Sequence, residues 1–128
     1  MSDPIVFISH FKVKPGKLES LKHLNQKVTE QIKTSKPSTV AFLQYLDEQG
    51  EELSIIHVFP DAESFDRHVE GAERRAKTSM DFVEPTRREV YGMPNDQVLA
   101  MLKPRDGSGI AFHIMAKASS GYIRLGGG

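Results

Sequence analysis

The side chains best equipped for chemistry in this chain are its 5 histidines, because cysteine is absent. Without cysteine, disulfides, Cys-ligated zinc, iron–sulfur clusters and thiol nucleophiles are excluded. Two imidazoles stand out by position. His57 lies in a β-like run, Leu53 to Phe59, where alternation puts it on one face with Leu53, Ile55 and Phe59. His68 lies in a helical segment whose apolar stripe is Phe65, Val69, Ala72 and Ala76, and it borders that stripe. Ser9 shares a strand face with Phe7 and Phe11. An imidazole with a reference pKa of about 6.5 can take a phenolic or enolic proton near neutral pH. The plainer reading is structural: a histidine at a helix edge is more often a hydrogen-bonded packing group, and Ser9 fills a small space. No Asp or Glu is placed by sequence to orient a Ser–His pair, so a hydrolase has little support. His10, His57, His68 and His113 lack ligand spacings such as H-x-x-x-H or H-E-x-x-H, so no metal site is expected. No G-x-G-x-x-G motif or P-loop is present, and no cofactor is expected.

The elements that must hold these groups follow from periodicity. Ile5 to Val13 is rich in β-branched and aromatic residues and reads as a strand with both faces partly apolar. Pro15-Gly16 is a turn, and Leu18, Leu21, Leu24, Val28 and Ile32 form one stripe of a helix from about Lys17 to Thr34. His23 falls opposite that stripe and faces water. Strands follow over Thr39 to Leu46 and Leu53 to Phe59, joined by the polar loop 47–51. Asp61 is placed to cap a second helix from about Ala62 to Met80, and Glu84 to Tyr91 reads as a fourth strand. The order β-α-β-β-α-β is the split-βαβ, ferredoxin-like arrangement, an α+β fold with an antiparallel sheet and helices on one face. The other sheet face keeps an apolar set, which predicts a homodimer made by packing two sheets together. Tyr45 and Tyr91 fit the core of that interface better than a ligand site.

Beyond Tyr91 the pattern is less regular. Asn95 can cap a short helix, Asp96 to Lys103; Ile110 to Lys117 alternates like a strand; Tyr122 to Leu125 returns as a further short strand. This divides the chain into a domain at 1–94 and an extension at 95–128, packed on the same domain or on a dimer partner. Glycines 126–128 read as a flexible end.

The chain has 128 residues, one domain by size, and is 38% apolar, too apolar for disorder. Lys plus Arg is 17 and Asp plus Glu is 17, so the formal net charge is zero. A nucleic-acid or anionic-membrane binder would want a basic excess, and neither partner is expected. The basic clusters Arg74-Arg75-Lys77 and Arg87-Arg88 read as solvated faces or interface pairs offset by nearby glutamates, and nothing in the sequence indicates an anionic substrate reaching Arg87. No apolar run is long enough to span a membrane, and the first residues lack a secretory pattern, so the expected location is cytoplasmic.

The runs HFKVKPGKLESLKHL and FPDAESFDRHVEG resemble the antibiotic-biosynthesis-monooxygenase-like family. The resemblance spans about Ile5 to Tyr91. It implies a dimeric α/β barrel with a ferredoxin-like protomer, in which Ser9, His57 and His68 converge on a cavity between sheet and helices. It also implies a cofactor-independent monooxygenase-like enzyme acting on a small aromatic or enolisable metabolite. His68 would be its first base and His57 its second, with Ser9, Phe7, Phe11, Phe59 and Phe65 around the ligand. The alternative is a non-catalytic dimeric barrel that binds a small apolar molecule. Haem-degrading members use an Asn, a Trp and a haem-ligating His at positions that look like Ser9, His68 and Thr78 here. The chain has no Trp, which argues against haem cleavage. Many members carry an acid where this chain has His57.

Overall fold

The computed structural model describes residues 3–125. The expected glycine end, 126–128, lies outside the described residues. Strand β1 (Ile5–Val13) sits at the centre of the sheet, because Ile5, Ser9 and Val13 are buried on one side and the other side is half-buried. It pairs antiparallel with β3 (Glu52–Phe59) on one edge and with β4 (Val83–Tyr91) on the other. β2 (Ala41–Leu46) pairs with β3, and β5 (Ala111–Met115) adds to β4 in parallel. The sheet order is therefore β2-β3-β1-β4-β5, the ferredoxin-like order with one strand added. The expected all-antiparallel sheet is corrected only at β5. There α4 (Asp96–Leu102) supplies the crossover that a parallel connection needs.

The helices cover one face. α1 (Leu18–Ser35) buries Leu21 and Ile32 and leaves His23 exposed, as its stripe predicts. The helix expected over 62–80 is two helices, α2 (Ala62–Val69) and α3 (Ala72–Ser79). The break falls at Gly71, whose φ of 80° is left-handed and open to glycine without a Cβ penalty. Asp61 caps α2 as expected: its Oδ1 accepts from the Ser64 N–H at 2.8 Å and from the Ser64 hydroxyl at 2.7 Å. α4 packs on the same face, where Val98 and Leu102 join Ile5, Phe59, Phe65 and Val90 in a buried cluster. A second cluster, Val13, Leu21, Leu53 and Val83, closes the other end. Tyr122 to Leu125 forms no strand, contrary to expectation; Tyr122 is 78% exposed and Leu125 53%, and half-buried Ile123 alone buries too little to hold the run to an edge.

Among the described residues no helix covers the opposite face. Leu43 and Tyr45 are exposed there, beside half-buried Val6, Ile8, Ile56 and Val58. A polar island sits among them: His10 bridges Ser54 Oγ, at 2.8 Å, and Glu89, which also accepts from the Tyr91 hydroxyl at 3.0 Å. Those two bonds, His10 first, hold the Glu89 carboxyl below the usual carboxylate range. Among the described residues no helix is long and apolar enough to cross a membrane.

Candidate active site

Because β-strands alternate, the residues of β1 and β3 that share a face with buried Ile5 and Phe59 must point at the helices. Ser9 and His57 do. The helical spacing of α2 turns His68 toward them. All three line one cavity of about 560 Å³ between sheet and helices. Phe7, Phe11, Phe42, Ile55 and Phe65 supply apolar wall, and α1 contributes Val28 and Ile32. Phe59, expected against the ligand, does not line the cavity. It is fully buried beneath it, stacked on Phe65 at 4.4 Å between ring centroids. Its bulk supports the wall that Phe65 and Phe7 form.

The imidazoles sit in the cavity as a pair. Their ring centroids are 5.0 Å apart in an edge-to-face arrangement, with an interplanar angle of 79°. His57 stacks on Phe7 at 5.0 Å and is only 7% exposed. Its Nδ1 lies 3.0 Å from the Phe7 carbonyl, which can only accept, so Nδ1 carries the proton and Nε2 keeps its lone pair. His68, 5% exposed, is fixed by Thr39, whose Oγ1 lies 2.8 Å from its Nδ1. Burial lowers the His57 pKa from 6.5 to about 4, opposed by the Phe7 bond and aided by the nearby Arg75 charge. Burial lowers the His68 pKa to about 3, with further repulsion from His57, Arg75 and Lys36. Both rings are neutral at pH 7. So lowered, they are weak bases; an anion formed beside them would offset the cost of charging either ring.

Arg75 and Arg88 are the residues that sequence reasoning missed. Both were expected on solvated faces or in interface pairs, and both line the cavity. Arg75 Nη2 donates to the His68 carbonyl at 2.6 Å and Nη1 to the Glu70 carbonyl at 3.1 Å, which folds its guanidinium back over the end of α2. Arg88 Nη1 donates to the Leu102 carbonyl at 2.8 Å. A signal for Arg88 existed: it shares strand parity with the buried Val90. Among the described residues no three His, Asp or Glu side chains come together as a metal site would require.

The ferredoxin-like α+β fold is one that proteins similar to the antibiotic biosynthesis monooxygenases share. No protein-family model and no curated protein matches the sequence. Solved structures match the fold. MupZ from Pseudomonas fluorescens has a TM-score of 0.68 at 16% identity, covering 92% of this chain and 94% of that one. SnoaB, a cofactor-independent oxygenase from Streptomyces nogalater, has a TM-score of 0.59 at 14% identity, covering 73% of this chain and 96% of that one. A Chloroflexus aurantiacus protein assigned to the antibiotic biosynthesis monooxygenases has a TM-score of 0.55 at 12% identity, covering 69% of this chain and 90% of that one. At these identities the likeness is one of fold. The MupZ match covers so much of the chain that it runs past Tyr91, where the sequence resemblance ends.

Proposed function

We propose that this chain is a cofactor-independent monooxygenase-like enzyme that acts on a small aromatic or enolisable molecule bound between sheet and helices. The observation that carries the reading is the pair of buried, neutral imidazoles facing an aromatic-lined cavity. In the proposed reaction His68, or His57, takes the proton of a phenol or enol. The resulting carbanion gives electrons to molecular oxygen and forms a C–O bond. Loss of water from the hydroperoxide then leaves a carbonyl: one oxygen atom enters the product and the other leaves as water. The protein's part is to hold the substrate, exclude bulk water and accept the proton. The fold shared with a cofactor-independent oxygenase supports this reading.

The same proposal makes the active form a homodimer joined through the uncovered sheet face, with residues 95–128 serving as an extension of the domain at 1–94. The parallel pairing of β5 on β4 supports the second point.

The depressed imidazole pKa values favour one other reading, a barrel that binds without turnover, since a weak base contributes little to catalysis. His68→Gln separates the two. It keeps bulk and some hydrogen bonding to Thr39 but removes the base. Oxygen uptake with a panel of polycyclic phenols should fall by about 10²–10⁴-fold while the thermal melt stays near wild type. A lowered melting temperature with unchanged turnover would assign His68 to structure. Binding of the panel without oxygen uptake by the wild type would establish the non-catalytic barrel.

A further inference from the structure

Each imidazole of the cavity pair has one nitrogen bound to protein and one left over. On His57 the bound nitrogen is Nδ1, 3.0 Å from the Phe7 carbonyl. On His68 it is also Nδ1, 2.8 Å from Thr39 Oγ1. Neither Nε2 has a hydrogen-bond partner among the described residues. Neither is sealed off, because Gln44 Oε1 is the one fully buried side-chain nitrogen or oxygen there that lacks a partner. Both Nε2 atoms are therefore reached from the cavity that the two residues line. The aromatic rings around the pair, Phe7, Phe42 and Phe59, offer no polar atom. The tautomer of each imidazole is thus set by its single bond to the protein.

The two bonding partners differ in kind. A carbonyl only accepts, so His57 Nδ1 carries the proton and Nε2 keeps a lone pair. A hydroxyl both donates and accepts. Thr39 is half-buried, and among the described residues its hydroxyl has no acceptor other than His68 Nδ1. Were Nδ1 protonated, the hydroxyl would accept from it and its own hydrogen would find no acceptor in the protein. With the hydroxyl donating, that hydrogen is satisfied, and the ring's own N–H falls on Nε2, where the cavity can hold a partner for it. Thr39 is not free to turn away. Its N–H donates to the Lys36 carbonyl at 3.0 Å, and the Val40 N–H donates to the Val58 carbonyl at 2.9 Å. Lys36 Nζ donates to the Arg67 carbonyl at 2.6 Å, which ties the segment to α2 beside His68.

We propose that the two imidazoles are held as opposite tautomers with opposite tasks: His57 takes the substrate's proton on Nε2, His68 donates a hydrogen bond from Nε2 to the oxygen that gains charge, and Thr39 is the positioning residue that keeps His68 a donor. The inference rests on the reading of the cavity as an active site and narrows the base to His57. The O–H bond of the phenol or enol breaks, its proton goes to His57, and the electron pair stays on the oxygen that His68 faces. A neutral imidazole donating to a developing oxyanion stabilises it with no net charge on the ring. Burial keeps His68 uncharged at pH 7, as that task requires.

Nuclear magnetic resonance of the full chain tests this without a substrate. In protein made with isotope-labelled histidine, long-range nitrogen–proton correlations at pH 7 show which ring nitrogen is protonated, and His57→Gln and His68→Gln assign the signals. His57 should carry its proton on Nδ1 and His68 on Nε2. Thr39→Val keeps the shape and removes the hydroxyl; it should shift His68 toward the Nδ1–H form and leave His57 unchanged, and Thr39→Ser should restore the wild-type pattern. With a phenol that the wild type oxidises, Thr39→Val should lower kcat about tenfold with KM little changed, and Thr39→Ser should recover it. A wild-type His68 protonated on Nδ1 would overturn the division of tasks. An unchanged His68 signal in Thr39→Val, or a loss of activity that Thr39→Ser does not restore, would assign Thr39 to structure and overturn its positioning role. Opposite tautomers without oxygen uptake by the wild type would overturn the enzyme reading and with it the two tasks, and leave the hold of Thr39 on His68 standing.

Discussion

Lowering the pH from 7 to 5 should destabilise this protein through two side chains that the fold keeps uncharged. The folded-state pKa values of His57 and His68 lie below their ordinary 6.5, at about 4 and about 3. As pH falls through 6.5 the unfolded chain binds protons at both rings and the folded chain does not. Their stabilisation is therefore complete above about pH 6.5 and is lost progressively down to the folded-state values. Between pH 7 and 5 a single ring with a folded pKa near 4 costs about 2 kcal/mol, and the pair roughly 4 kcal/mol. At a urea m-value of about 1–3 kcal/mol/M, that moves the denaturation midpoint down by at least about 1 M. The depressed carboxyls of Asp61 and Glu89 stabilise in the same direction, but lose their contribution lower, as pH falls through their folded pKa values. The double variant His57→Gln/His68→Gln keeps hydrogen-bonding groups for Phe7 and Thr39 and removes both titrations. Its midpoint should change far less between pH 7 and 5. A wild-type midpoint that is flat over this range would refute the reasoning, as would a variant that falls in parallel with it.

Three further outcomes are expected. Phe59→Ala should cost about 3–5 kcal/mol in chemical denaturation, because the ring is fully buried against Phe65; a loss under about 1 kcal/mol would contradict its place beneath the cavity. Gly92→Ala should be more damaging than Gly71→Ala. Both positions have positive φ, but a Cβ at 92 would lie 2.9 Å from the Pro4 carbonyl oxygen, whereas one at 71 meets only Arg75 Nη1 at 3.6 Å. Losses of roughly 3 and 1 kcal/mol are expected, and equal melts would sink the argument. Light scattering at micromolar concentration should give a dimer, and Leu43→Lys with Tyr45→Lys on the uncovered sheet face should give a monomer; a monomeric wild type defeats the proposed assembly.

The parts of the site that local periodicity governs were legible in the sequence. Ser9 and His57 follow the two-residue rule from Ile5 and Phe59, and His68 follows the helical rule from Phe65, so their convergence needed only the right fold. What periodicity could not show depends on interruptions. The left-handed Gly71 splits one expected helix in two and lets Arg75 turn back onto the His68 carbonyl. Arg87 and Arg88 face opposite sides of the sheet by strand alternation, opposite His10 and Ser9, while the bulge near Thr86 breaks that alternation only on the way to Val83, so parity counted from the start of β4 misplaces them. Thr39 was invisible as a partner of His68 because it belongs to neither element that carries the imidazoles. The parallel sense of β5 likewise depends on where α4 docks, which no residue within Ile110 to Lys117 encodes.

The strand order has a consequence for how the chain acquires its structure in time. β1 precedes every other strand in the chain and is flanked by two that come much later: Ile5 finds Phe59 on one side, and Val6 finds Tyr91 on the other. During synthesis the run Ile5–Ile8 must wait for β3 to pair one edge and for β4 to pair the other. The earlier helix α1 cannot shelter it alone, since the buried cluster around Ile5 draws on Phe65, Val90 and Val98. Folding dominated by such distant pairings is slow, on the order of milliseconds to seconds. The molecule therefore condenses after most of it has been translated, around a strand that was made first and satisfied last.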